Sequence, residues 1–267
     1  MTPRQHYLTM TAAALAAAGF MPTANAQKYP ARPLRMICPS PPGGSVDYLA
    51  RVFAQHLAAR FGVPTIVDNR VGASAVIASE ILVKAPPDGH TLMMAYSSHA
   101  TNPIFMKSLP YDTLKDFSAV AHVGYIPLLL VVHPSTPATS AKALITLAKA
   151  KPGQLTVAAG AQGGGPSMAA ILLNKLAGVN VVQVPYKGNA PALVDVLGGQ
   201  VTMMFDPINT SLPLARAGRL RMLAVTGIQR AAQAPELPTM IEAGLPGFDV
   251  RAWFAIVAPA NTPRDII

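Results

Sequence analysis

The sequence predicts an α/β fold of two lobes with largely parallel strands, and three observations predict it. Short apolar runs alternate with helical patterns along most of the chain, which is the mark of successive βα units. The alternation comes in two series, separated by the long apolar run YIPLLLVVHP at 125–134, a candidate crossing between lobes. Each series also holds a Gly-rich loop after a strand and before a helix: PSPPGGSVD at 39–47 and GAQGGGPSM at 160–168.

The elements follow in order. Strand 34–39 leads through the first loop into a helix over 46–61. There Tyr48, Leu49, Val52, Phe53, His56, Leu57 and Phe61 recur at helical spacing, and His56 is read as a packed core residue. Gly62 supplies a C-terminal cap and Pro64 bars continuation. Strand 65–69, helix 74–85, a PPDG turn and strand 91–98 complete the first series. The second runs helix 140–153, strand 155–160, the second loop, helix 167–178, strand 181–186, helix 190–199, strand 200–206, a helix and strand 220–227. The tail from 237 onward is less regular. In its last residues Thr262 as N-cap, Pro263 and Asp265 signal a helix start. The chain stops about one turn later, so the sequence reads as shortened at this end.

Composition bounds the function. Hydrophobic residues make up 51% and charged residues 12% of 267, too apolar for a disordered chain. The 26 prolines and 20 glycines interrupt it too often for a membrane bundle. Residues 1–26 read as a signal peptide: one Arg, an Ala-rich apolar stretch too short to span a bilayer, and an A-x-A site at Ala24–Ala26. The net charge is +9, or 9 − 1 = +8 once Arg4 leaves with the leader. Basic residues are scattered and do not interleave with aromatics, so no nucleic-acid groove is expected; they make either an ordinary solvated basic surface or a positive field that attracts small anions. Cys38 is the only cysteine, so no intramolecular disulfide forms, and it reads as a small buried hydrophobe.

The two Gly-rich loops carry the chemistry. Glycine permits close backbone approach, and the first N–H groups of a helix lack partners and sit at the positive end of its dipole. Such a loop either cradles an anion or is a tight βα turn with Ser45 or Ser167 as N-cap. Two matching loops, one per lobe, suggest a clamp on one anion. Sharper motifs fail: Pro166 replaces the lysine a phosphate-binding loop requires, Asp47 replaces the closing glycine of a nucleophile elbow, and neither loop matches the dinucleotide fingerprint. No two histidines have metal-ligand spacing, and His99 is placed where it could reach a cleft. Further candidates stand at strand ends: Ser97 and Ser98, Tyr186 and Lys187, and Asp206. Lys187 either neutralises a carboxylate or is an ordinary loop lysine. Asp206 either caps the next helix or faces the cleft.

YPARPLRMICPSPPGGSVDYLAR, VDNRVGASAVIASEILVKAPPDGHTLMM, LAKAKPGQLTVAAGAQGGGPS, VPYKGNAPALVDVLGGQVTMMFD and GRLRMLAVTG resemble the Bug (TctC-like) family, periplasmic solute-binding receptors of tripartite tricarboxylate transporters. The resemblance covers nearly all the chain after the leader. It implies a two-lobed periplasmic-binding-protein-like fold, lobe 1 from 27–124 plus 222–267 and lobe 2 from 125–221, joined by crossing strands and closing on a small carboxylate. Backbone groups and ordered waters of the two loops would hold that carboxylate, which carries over to Gly43, Gly44, Ser45 and Asp47 and to Gly163, Gly164, Gly165 and Ser167. A monomer working with membrane permease subunits is implied, with no catalytic residue, metal or cofactor. The other classes open to such a chain are a ligand-sensing partner of a signalling receptor, an enzyme acting on a carboxylate or phosphate ester, and a truncated, non-functional copy. Departures from the family pattern are the prolines of the first loop, where PFAAGGGTD is more usual, and Ser40 in place of an aromatic. Met168 and Pro166 depart in the second loop. Family members continue past NTPRDII with helices that pack on the first lobe, so this chain alone is expected to be less stable than its relatives.

Overall fold

The structure is a computed structural model and describes residues 29–267; the expected signal peptide lies outside the described residues. From Arg32 onward the chain forms one compact unit. The first series folds as β1 (Leu34–Cys38), α1 (Ser45–Phe61), β2 (Thr65–Asn69), a 3-10 turn at Ala73–Ala75 leading into α2 (Val76–Val83), β3 (Thr91–Tyr96) and α3 (Ser97–Phe105). β1 pairs parallel with both β2 and β3. Gly62 ends α1 in the left-handed conformation at φ 72°, as its cap position requires. Ser97 and Ser98 are not in a strand, as the sequence suggested, but in the first turn of α3.

β4 (Phe117–Val132) is longer than the apolar run that announces it. Then come α4 (Ala141–Ala150), β5 (Thr156–Ala159), α5 (Gly165–Ala177), β6 (Val182–Pro185), α6 (Asn189–Leu197), β7 (Met203–Pro207), α7 (Ile208–Arg216), β8 (Arg221–Val225) and β9 (Arg251–Pro259). β5 pairs parallel with β6 and β7. The sheet order is β2-β1-β3-β9-β4-β7-β5-β6, with β8 paired to β4.

Two long strands knit the parallel groups together, and both run antiparallel to their neighbours. β4 pairs with β9 through residues 117–127 and with β7 and β8 through residues 128–132. Leu128 to Val132 are wholly buried, which is why this stretch reads as an unbroken apolar run rather than an alternating one. β9 inserts between β3 and β4. Its alternate residues Ala252, Phe254, Ile256 and Ala258 face the main core, the period-2 pattern of a strand. The irregular tail thus contains a central strand that its local sequence did not announce.

On α1, Leu49, Ala50, Phe53, Ala54 and Leu57 make the inward stripe. His56 lies at the edge of that stripe and is exposed, which corrects its reading as a core residue. Tyr48 and Phe61 are exposed as well. Cys38 is fully buried, and burial pushes its thiol up to about 12. The chain's last residues make a single turn: Ile266 and Ile267 N–H both bond the Pro263 carbonyl. Thr262 does not cap this turn through its hydroxyl, which donates to the Pro259 carbonyl at 2.7 Å.

Candidate functional site

The carboxyl ends of β1, β3, β5, β6 and β7 open on one cleft, lined in that order by Pro39, Tyr96, Ala161, Lys187 and Pro207. Its open volume, mouth included, is about 510 Å³. Each of these strands feeds a helix that begins at the cleft wall: α1 at Ser45, α3 at Ser97, α5 at Gly165, α6 at Asn189, and α7 after its N-cap Pro207. The leading N–H groups of a helix have no intrahelical partner and carry its positive partial charge. Five such ends converge here. No lining residue is acidic, and Lys187 is the only cation among them.

The first loop is braced from behind. Asp47 is buried and does not face the cleft; its carboxylate accepts from the Gly43 N–H (3.1 Å), from Arg51 Nε (2.9 Å) and Nη2 (3.0 Å), and from Asn69 Nδ2 (2.9 Å). Burial alone would raise its pKa, but these donors outweigh it and hold the carboxyl below its usual value. Asn69 also donates to the Ser40 carbonyl at 2.8 Å. Gly43 turns the chain at φ 86°, a conformation that strains any residue with a Cβ. The N-cap of α1 is Gly44, not Ser45. The Ser45 hydroxyl donates instead to Asn209 Oδ1 on α7 at 3.0 Å.

The second loop is held from the α3 side. Ser98 donates to the Gln162 carbonyl and Thr101 to the Gly163 carbonyl, both at 2.9 Å. Gly163 has φ 73°, and a Cβ there would collide with Thr101. Gly164 is the N-cap of α5. Ser167 is neither cap nor cleft residue: it is buried, its hydroxyl donates to Gln183 Oε1 at 3.2 Å, and it lines a further cavity with Phe105, Ile171 and Gln183.

The structure therefore brings Gly164, Gly165, Ser45, Ser97 and Lys187 together at the cleft. It places Ser98 and Asp47 behind it as supports. The Ser97 hydroxyl accepts from the Trp253 N–H at 3.4 Å. Tyr186 and Lys187 line an adjoining cavity of about 220 Å³, which shares Pro39, Tyr96, Ala161 and Lys187 with the cleft. The Tyr186 hydroxyl donates to Asp195, and that bond, with some burial, pushes its pKa up to about 12. Asp206 is wholly buried; Thr210 Oγ1 and Asn189 Nδ2 donate to it, and burial pushes its pKa up to about 7. His99 does not reach the cleft. It packs against Tyr111 and Phe117 with Nδ1 3.3 Å from the Ser79 hydroxyl, and burial lowers its pKa to about 4.

Sequence reasoning missed Asn209, Asn189, Ala252 and the turn at Gly72–Ala75. Ala73, Ser74 and Ala75 all have left-handed φ, 43°, 51° and 77°, although none is glycine. Asn102 Nδ2 holds this turn by donating to the Ser74 carbonyl at 2.9 Å. Such strain survives only where the surroundings impose it and often marks a working surface; here it walls the adjoining cavity.

Comparison with known proteins accords with this geometry. The family model described as "Tripartite tricarboxylate transporter family receptor" matches residues 49–267. Protein BugT of Bordetella pertussis is 40% identical over 255 residues, 95% of this chain and 78% of that protein. Among solved structures, R. palustris Rpa4515 with adipate superposes with a TM-score of 0.87 at 37% identity, covering 89% of this chain and 80% of that one. MatC from Rhodopseudomonas palustris with bound malate gives 0.84 at 33%, covering 89% and 81%. The periplasmic binding protein BugD gives 0.85 at 31%, covering 89% and 80%. The fold, the two loops and these matches agree: the chain belongs to the tripartite tricarboxylate transporter receptor family, the Bug or TctC solute-binding proteins.

Proposed function

We propose that this chain is a periplasmic receptor that captures a small carboxylate-bearing solute in the cleft and presents it to the membrane permease subunits of a tripartite tricarboxylate-type transporter. Capture works by closure of a first lobe built on β1–β3 and β9 onto a second built on β5–β7, about the crossing strands. The observation that carries this reading is the convergence of five helix starts on a cleft with one lysine and no acidic side chain. Such a wall attracts an anion without covalent chemistry. Ser45, Ser97, Gly164 and Gly165 contact the ligand carboxylate, Lys187 supplies the charge, and the turn at Ser74 faces its far end. That two relatives are solved with adipate and malate supports a ligand of the same chemical class. Binding with no turnover makes the protein a carrier rather than an enzyme.

A thermal-shift screen of mono-, di- and tricarboxylates at neutral pH tests the reading. At least one acid should raise the melting temperature in proportion to the logarithm of its concentration. A folded sample that no organic anion stabilises overturns it.

A further inference from the structure

We propose that Asp206 is a positioning residue whose proton controls which face of the Asn189 amide meets the cleft, so that capture of an organic anion takes up a proton. The inference rests on the receptor reading above. Asn189 opens α6 and lines the cleft. Asp206 stands one side chain behind it, wholly buried in β7 just before the cleft residue Pro207. Asn189 Nδ2 donates to Asp206 Oδ1 at 3.4 Å and Thr210 Oγ1 donates to Oδ2.

Among the described residues no countercharge meets this carboxyl. β7 packs against β4, β5, α5, α6 and α7. The titratable side chains on those elements are His122 and Tyr125 on β4, Lys175 on α5, Asp195 on α6 and Arg216 on α7. None of them acts on Asp206, whose partners Asn189, Thr210 and Ser211 are all neutral, and Lys187 does not act on it either. A buried carboxylate satisfied only by neutral donors holds its proton more tightly than a paired one, and burial places its loss at about pH 7.

The coupling follows from hydrogen-bond inventory. Ionised Asp206 only accepts, so Asn189 must turn its NH₂ toward it. The Asn189 oxygen then lies toward Gly160, so close that a Cβ on Gly160 would collide with it. Protonated Asp206 donates one bond, which the Asn189 oxygen can accept after the amide turns over, leaving the NH₂ on the Gly160 side, where Gly160 lines the adjoining cavity. An anion that spans the cleft and that cavity favours the second arrangement twice: it gains a donor and loses a buried negative charge behind that donor. Affinity is therefore flat well below pH 7 and falls above it, by up to about tenfold per pH unit, until the bound state deprotonates in turn.

The experiment is isothermal titration calorimetry with adipate, malate, succinate, glutamate and nicotinate, the tightest binder then being titrated at about pH 5.5 and pH 8 in buffers of different ionisation enthalpy. The buffer dependence counts protons taken up. The wild-type protein should take up close to one proton per ligand at the higher pH and almost none at the lower. Asp206→Asn, which keeps size and shape, should bind with an affinity that no longer varies with pH and should take up none. Binding without proton uptake at either pH, or equal uptake by Asp206→Asn, overturns the inference and leaves the receptor reading intact. Should none of the five acids bind, the inference falls with that reading. Should the asparagine variant not fold, the wild-type proton count alone decides.

Discussion

The Ser45 hydroxyl, at the start of α1, donates to Asn209 Oδ1 in the first turn of α7 at 3.0 Å. The two residues are 164 apart in sequence, and their helices begin on opposite walls of the cleft. Lobe closure as proposed would depend on this bond to hold α1 and α7 together. A side-chain hydrogen bond contributes about 1 kcal/mol net, and 1 kcal/mol is about a fivefold change in affinity. Ser45→Ala should therefore weaken carboxylate binding about fivefold in calorimetry. An unchanged dissociation constant would show that the bond plays no part in the bound state.

Pro41 and Gly188 meet across the same cleft. A Cβ on Gly188 would lie 2.6 Å from Pro41 Cδ and 3.1 Å from its Cγ. Neither ring atom can retreat far, because proline fixes its own backbone. Gly188→Ala should weaken binding by about tenfold, and adding Pro41→Ala should restore most of the loss. A coupling energy of about 1 kcal/mol in that double-mutant cycle is the expected value. Strict additivity of the two changes is the contrary outcome.

Asp47 ties the first loop to α1 and β2 through Gly43, Arg51 and Asn69. Replacing it by Ala orphans several donors, and the loss should be about 2 kcal/mol at pH 7 by urea unfolding. Its native pKa lies below the unfolded value near 3.8. The contribution is thus present above that unfolded value and lost as pH falls through the native one. The stability difference between wild type and Asp47→Ala should shrink on acidification toward pH 3. A difference independent of pH would contradict this role.

Asp206 acts with the opposite sign. Its native pKa of about 7 stands above its reference value of 3.8, so the native state holds a proton that the unfolded state has shed. The wild type accordingly loses stability as pH rises from about 4 to about 7, relative to a residue that does not titrate. In the absence of ligand, the melting temperature of Asp206→Asn minus that of wild type should grow between pH 5 and pH 8. A constant difference would mean that Asp206 titrates normally.

Lys187 is the one cation on the cleft wall. Lys187→Met keeps most of the unbranched side chain and removes the charge. It should lower the affinity for a dicarboxylate about tenfold at low ionic strength, with a smaller effect at 0.5 M salt, where charges are screened within a few ångströms. Equal losses at both ionic strengths would point to packing instead of charge.

Much of this protein was legible from the chain alone, for reasons that differ by element. Helix α1 announced itself through local spacing and its Gly62 cap, both properties of one short segment. Gly43 and Gly163 were readable because only glycine accepts their positive φ at no steric cost. β9 was not readable. Its partners β3 and β4 lie far away in sequence, and its surroundings of turns and prolines carry no βα rhythm. The serines show the same division within one site. Their place at strand-to-helix junctions was visible, but not their direction. Ser45 reaches across to Asn209, Ser98 turns to the Gln162 carbonyl, and Ser167 points away to Gln183.

The sequence by itself determined the α/β alternation, the two glycine-rich turns and the buried run of β4, since each depends on residues that are neighbours along the chain. Tertiary structure alone decided that five helix starts would share one cleft, that β9 would close the sheet between β3 and β4, and that Asp206 would lie behind Asn189 among neutral partners. Those outcomes depend on contacts between distant segments, and the loop-closure entropy set against such contacts is repaid only when the whole core is buried at once.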